Sequence, residues 1–291
     1  MACCAGCGYI VAKHRDGSQR AFCYNACGAV RGGRCARVSL RLERTIIVRS
    51  GGCITPMREH PQIAIDGPAG VGKSTIGERV ARHLGCLYVD SGAFYRALTA
   101  LAVAHHVDPD DDEQLTALAA SSDIRIVTPT VQDGRQYTVL AGDTDITPTL
   151  RTPEVEKTVS RVSRHPAVRR TLIALMRAMA SGQTVVMVGR DIGTVVLPDA
   201  DLKIWLTTAL EHRATRRHGD LVASMGAEAP TLEEVRAEIA RRDDKDRDQM
   251  QPAPDAHTIN NDNLTAEETV ARILTLLRQL RDRREQREAS S

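Results

Sequence analysis

Aromatic side chains are scarce in this chain of 291 residues: two Phe, one Trp and five Tyr make up 3% of it. That excludes an aromatic core, and it leaves no platform of stacked rings for single-stranded nucleic acid. A charge excess of either sign is missing too, since 39 basic residues face 37 acidic ones. A net charge of +2 provides no general field for a polyanion, so any such site has to be local. No run approaches the ~18 apolar residues of a membrane span. Cysteine all but disappears after residue 57, where only Cys86 remains of the eight. The main body therefore reads as an aliphatic-cored, reduced, cytoplasmic protein without nucleic-acid or membrane partners, and as a monomer.

Residues 1–56 differ in composition from the rest. They hold Cys3, Cys4, Cys7, Cys23, Cys27, Cys35 and Cys53, and they are rich in arginine against only Asp16 and Glu43. Three readings compete. The cysteines could form a zinc site, but Cys4-x-x-Cys7 and Cys23-x-x-x-Cys27 lack a convincing second knuckle. An arginine-rich, acid-poor start also suits a transit peptide. The third reading is a disordered or non-native leader ahead of a natural start at Met57, and the domain division used here is a non-core 1–56 followed by a domain over 57–285.

What is present centres on Gln62 to Thr75. A short apolar run, Gln62 to Asp66, suits a buried parallel strand. Gly67-Pro68-Ala69-Gly70-Val71-Gly72-Lys73-Ser74-Thr75 then has the spacing of a P-loop, with helical periodicity through Leu84. Glycines let backbone N–H groups reach phosphate oxygens with no Cβ in the way, and the following helix points its positive end at the same anion. Lys73 is placed to reach the β- and γ-phosphates, and the Ser74 hydroxyl to help hold Mg²⁺. The four fixed positions should match by chance in roughly one chain of this size in a hundred. The expected ligand is ATP with Mg²⁺.

Cys86 to Asp90 reads as a second strand. Asp90, Ser91, Tyr95 and Arg96 follow at its carboxyl end, where open α/β sheets bind ligands. Asp123 to Val127 and Gln136 to Leu140 suggest a hairpin turning near Asp133-Gly134, inside an inserted region over 107–165. Helices are expected over Pro153 to Ser163 and Pro166 to Ser181, carrying Ser160, Arg169 and Arg177. Thr184 to Val188 is the clearest buried strand, running into Gly189-Arg190-Asp191. Arg213, Arg216 and Arg217 share one face of a helix from Glu211 to Leu221, next to a loop from Val222 to Pro230. Beside a P-loop such a face suits a lid, about 213–232, that closes over the triphosphate. Thr231-x-x-Glu234 and Thr265-x-x-Glu268 are capping boxes; the charged tail from Arg281 is expected to fray. The core takes in 60–106 and 183–280.

Asp66-Gly-Pro-Ala-Gly-x-Gly-Lys, Asp90-Ser-Gly-Ala-x-Tyr-Arg96, Gly189 to Ala200 and Arg242-Asp-x-x-Asp246 together resemble the bacterial cytidylate kinases over about residues 62 to 280. The resemblance implies an α/β, P-loop nucleoside-monophosphate-kinase-like parallel sheet with helices on both faces, an inserted acceptor-binding subdomain and a short lid. It implies transfer of the ATP γ-phosphoryl group to CMP or dCMP. By matching motif, Ser91, Arg96 and Arg190 would hold the acceptor's phosphate. Ser160, Arg169 and Asp191 would recognise cytosine, and Arg242 and Asp246 would act near the sugar and the reaction centre. Alternatives are another small-acceptor kinase, for UMP or AMP, or a nucleotide-binding protein that transfers nothing.

Three positions depart from the family pattern. Gln249 stands where a second arginine is usual, Met176 precedes Arg177 in place of glutamine, and Asn260-Asn261-Asp262 replaces an Asp-Ser/Thr pattern. The expectation is a weaker hold on the acceptor with the fold unaffected.

Overall fold

The computed structural model describes residues 7–13, 19–25, 60–246, 250–288 and 290. The chain divides into two compact units, Met1–Cys53 and Ile54–Ser291. In the first, β1 (Cys7–Lys13) pairs antiparallel with β2 (Gln19–Asn25), Cys7 opposite Asn25. A two-stranded ribbon of this kind is marginal by itself in water. The rest of the leader, Cys4 and Cys27 of the candidate zinc spacing included, lies outside the described residues.

The second unit continues with strands β3 (Gln62–Asp66), β4 (Leu87–Asp90), β5 (Ile124–Val127), β6 (Thr138–Ala141), β7 (Thr144–Asp145), β8 (Val185–Gly189), β9 (Leu202–Thr207) and β10 (His257–Asn260). Its helices are α1 (Lys73–Leu84), α2 (Ser91–Ala104), α3 (Asp112–Ser121), α4 (Pro153–Val162), α5 (Pro166–Ala180), α6 (Leu210–Met225), α7 (Leu232–Asp246) and α8 (Ala266–Glu288). The central sheet has the order β10-β9-β3-β8-β4, every pair parallel.

Strands β3 and β8 are buried along their whole length, as unbroken apolar runs with helices on both faces should be. The pleat divides their side chains between two cores. Ile63, Ile65, Val186 and Val188 face α1 and α8 through Ile76, Val80, Val270 and Ile273. Ala64, Val185 and Met187 face the other way, toward Phe94 and Leu98 of α2 and Leu172 and Met176 of α5. Met176 is fully buried there, so this departure from the family pattern is a packing residue.

The inserted region forms an antiparallel sheet of β5, β6 and β7. It has no separate core: Leu115, Ile126, Val139 and Val162 join the cluster around Phe94. The hairpin's return strand begins at Thr138 where Gln136 was expected. The connection is therefore a long loop, held by Arg135 donating to Asp133 at 2.6 Å and to Asp145 at 2.6 Å.

Helices α6 and α7 pack on each other around Ala214, Val235 and Ile239, a small cluster of their own. Helix α6 persists to Met225, past the expected loop start at Val222, and a single turn, Gly226–Glu228, leads on toward α7. The expected lid is thus a helical hairpin. The Thr231 capping box is formed, its N–H donating to Glu234 at 2.8 Å and its Oγ1 accepting from the Glu234 N–H at 3.3 Å. The box at Thr265 closes the same way. Helix α8 runs through Glu288, so the tail expected to fray from Arg281 continues the helix. Among the described residues no helix is long and apolar enough to cross a membrane.

Candidate active site

Strands β3, β4 and β8 end together at Asp66, Asp90 and Gly189, and the candidate residues gather at these carboxyl ends. The loop after β3 is the P-loop, with Gly70 and Gly72 at φ +76° and +95°, a region open to glycine at little cost. Gly67 has a further constraint: a Cβ there would stand 2.4 Å from the Leu206 carbonyl oxygen of β9. Helix α1 starts at Lys73 with no side-chain cap, which leaves its first N–H groups to a ligand.

Lys73 Nζ donates to the carbonyls of Gly67 and Pro68, both at 2.7 Å, and so lies back along its own loop. Burial, then the nearby Arg190 charge, pushes its pKa down to about 8. Asp66 is buried and accepts from the N–H groups of Ile192 at 2.8 Å and Gly193 at 2.7 Å. Burial lifts its carboxyl to about 6 against the pull of those two hydrogen bonds. Asp66 thereby fastens the turn Ile192–Val196 to the P-loop strand. In the sequence Asp66 stands out only as a strand end and as the first residue of a matching motif; a carboxylate closing a buried strand is the signal that could have singled it out.

The arginines of α6 divide. Arg213 is buried, donating to the Ala69 carbonyl at 2.8 Å and to Asp243 of α7 at 2.7 Å. Arg216 reaches the Gly70 carbonyl at 3.3 Å, and Arg217 is exposed. Asp243 went unread within the run of charges from Arg242 to Arg247. Only the pairing of α6 with α7 brings it to Arg213. From the other side, Asn261 is buried and donates to the Val71 carbonyl at 3.0 Å, so this departure from the family pattern supports the loop.

At the end of β4, Asp90 caps α2 by accepting from the Gly92 N–H at 2.9 Å. Ser91 is buried against β8, so close that a Cβ on Gly189 would lie 2.5 Å from its hydroxyl oxygen. This contact joins the Asp90–Arg96 motif to the Gly189–Ala200 motif. Arg169 of α5 donates to Asp191 at 2.6 Å, and its guanidinium lies over the Tyr95 ring, 5.7 Å from the centroid. Burial pushes the Tyr95 phenol up, which keeps it neutral. Arg96 donates to Glu156 at 3.2 Å. Arg177 belongs to the scaffold, donating to the carbonyls of Val195 and Val196 at 2.6 and 2.8 Å.

The remaining candidates lie nearer the surface. Ser160 and Arg190 are exposed, and Arg242 is exposed and paired with Glu238 on its own helix. Asp246 ends α7, and its side chain lies outside the described residues, as does Gln249. Among the described residues no group of three or more His, Cys, Asp or Glu could hold a metal ion. A magnesium ion carried by nucleotide phosphates needs no such cage, and the exposed Ser74 hydroxyl at the start of α1 suits that arrangement.

The model of the family described as cytidylate kinase matches residues 63–279. The cytidylate kinase of Chloroflexus aggregans is 48% identical over 218 residues, which cover 75% of this chain and 94% of that protein. That of Roseiflexus castenholzii is 50% identical over 214 residues, 73% of this chain and 91% of that one. That of Halalkalibacterium halodurans is 42% identical over 216 residues, 73% and 95% of the two chains.

Proposed function

The chain belongs to the cytidylate kinase family, and we propose that it transfers the γ-phosphoryl group of ATP to CMP and dCMP, giving the diphosphates. The observation that carries this reading is the Arg169–Asp191 pair beside Tyr95, at the same end of the sheet as a P-loop. Arginine donates and aspartate accepts, which matches the edge of cytosine: acceptors at O2 and N3, a donor at the N4 amino group. Uracil turns that donor into an acceptor facing Asp191, and a buried mismatch of this kind is costly.

Each group then has a task. The backbone N–H groups of Gly67 to Thr75 cradle the ATP phosphates, and Lys73 exchanges its two loop carbonyls for β- and γ-oxygens. Magnesium, held by those oxygens and Ser74, would neutralise charge on them. Arg213 braces the loop through Ala69, and Arg217 approaches the triphosphate from the lid. Asp90 and Tyr95 frame the acceptor site; Ser91, Arg96 and Arg190 hold the acceptor's phosphate; Ser160 joins Arg169 and Asp191 on the base. Arg242 and Asp246 complete the reaction centre from the end of α7. The acceptor phosphate has a second pKa near ~6, so it is largely a dianion at neutral pH and attacks without a general base. Asp66 is not needed as one, and both its oxygens are engaged with backbone N–H groups.

Steady-state assays of CMP, dCMP, UMP and AMP with MgATP test this. The kcat/KM for CMP and dCMP should exceed that for UMP and AMP by about 10²-fold or more. A chain starting at Met57 should perform equally, since every residue given a task above lies after it. ATP binding without transfer to any of the four acceptors would sink the proposal.

A further inference from the structure

Helix α4 opens with Glu156 in its first turn, and this carboxylate is shared by two arginines from different elements. Arg96 of α2 donates its Nε at 3.2 Å, and Arg151, from the segment just before α4, donates its Nη1 at 3.2 Å to the same Oε1 oxygen. Two guanidiniums converging on one anionic oxygen are the arrangement that binds a phosphate group. Glu156 supplies the anion from within the chain, on the inserted region that packs against α2.

We propose that Glu156 is a tethered competitor of the acceptor's phosphate, and that Arg151 is a second arginine which that phosphate recruits when it displaces the carboxylate. The inference rests on the assignment of Arg96 to the acceptor's phosphate. The exchange sets a threshold of charge. A carboxylate carries one negative charge and a nucleoside monophosphate close to two, so the dianion wins both guanidiniums. A nucleoside offers nothing for which Arg96 and Arg151 would leave Glu156. The exchange therefore lowers the affinity for CMP while leaving that for a nucleoside untouched, and it keeps Arg96 and Arg151 neutralised until a phosphate displaces the carboxylate. The pair is open to solvent, with the Glu156 and Arg151 side chains 40% and 63% exposed, which keeps the exchange shallow and reversible.

Glu156→Gln keeps the size and removes the charge. It should lower the Kd for CMP, and the KM for CMP with it, by about fivefold, because the fraction of protein with its arginines available rises. The kcat, the KM for ATP and the Kd for cytidine should stay as they are. Glu156→Asp, a shorter carboxylate, should fall between the two forms. Arg151→Gln should raise the Kd for CMP while leaving that for cytidine unchanged. A purely structural role for Glu156 would instead shift kcat or both KM values together. An unchanged or raised Kd for CMP in Glu156→Gln, with CMP still phosphorylated, overturns this inference alone. Failure of CMP to bind either form overturns it together with the acceptor reading.

Discussion

Arg213 and Asp243, beside the P-loop, have side chains only 6% and 26% exposed, whereas Arg151 and Glu156, beside the acceptor corner, are 63% and 40% exposed. The first pair is the more buried, and its arginine touches loop backbone; the second is solvated. Desolvated charge pairs fix geometry, because removing either partner strands the other, while solvated pairs exchange at little cost. The donor side is thus braced before any nucleotide arrives, by Arg213 on Ala69, Asn261 on Val71 and Asp66 on Ile192 and Gly193. At the other end the Arg169–Asp191 pair, with side chains 23% and 14% exposed, is sheltered too, and in our proposal only the contacts of Glu156 are ones that a substrate replaces. A kinase of this kind gains from the asymmetry: the triphosphate needs a rigid cradle, and the smaller acceptor needs a site that reports whether a phosphate is present.

The strongest way to break the donor side is Lys73→Ala. Turnover should fall by about 10³-fold or more with CMP binding unaffected, as steady-state and equilibrium titrations together would show. On the acceptor side, Asp191→Asn leaves the Arg169 charge without its counter-charge and turns one acceptor oxygen into a donor. The kcat/KM for CMP should drop by about 10²-fold and the preference over UMP should narrow, while the Kd for ATP holds. An unchanged ratio of CMP to UMP would remove Asp191 from base recognition.

Asp243→Asn tests the brace itself. It strands a buried guanidinium, whose Nε already lacks a hydrogen-bond partner, and should cost about 2 kcal/mol of unfolding free energy in a urea titration, along with weaker ATP binding. Glu156→Gln, its counterpart on the acceptor side, should leave stability unmoved. A further effect is one of pH. Lys73 titrates at about 8, pushed down by burial and by Arg190, and only its protonated form attracts phosphate. Below pH 8 the ammonium is present and affinity should be flat. Above it, binding ATP must take up one proton, so Kd should rise about tenfold per pH unit. Lys73→Arg should flatten that slope; a wild-type slope of zero between pH 8 and 9.5 would show that Lys73 stays charged.

How far the site was legible depended on how local each signal was. The P-loop and both capping boxes rest on residues within a few positions of each other, and each formed where expected. The Arg169–Asp191 pair came through resemblance alone, since 22 positions separate its members. Asp243, Glu156 and the clamp by Asp66 were missed. Their partners lie 30, 60 and about 126 positions away, and nothing in the spacing marks them. The long loop around Arg135 and the extension of α6 also escaped, because side-chain ties and helix–helix packing outweigh local turn signals.

By itself, the sequence determined which strands would be buried on both faces, where the phosphate loop lies and which polar groups end the strands. These follow from apolar runs, glycine spacing and caps, all short-range properties of the chain. Only the tertiary structure decided which charges would be buried and which left exchangeable. That choice depends on which helices pack against which, and a charged side chain acquires its energetic weight from the water its neighbours exclude.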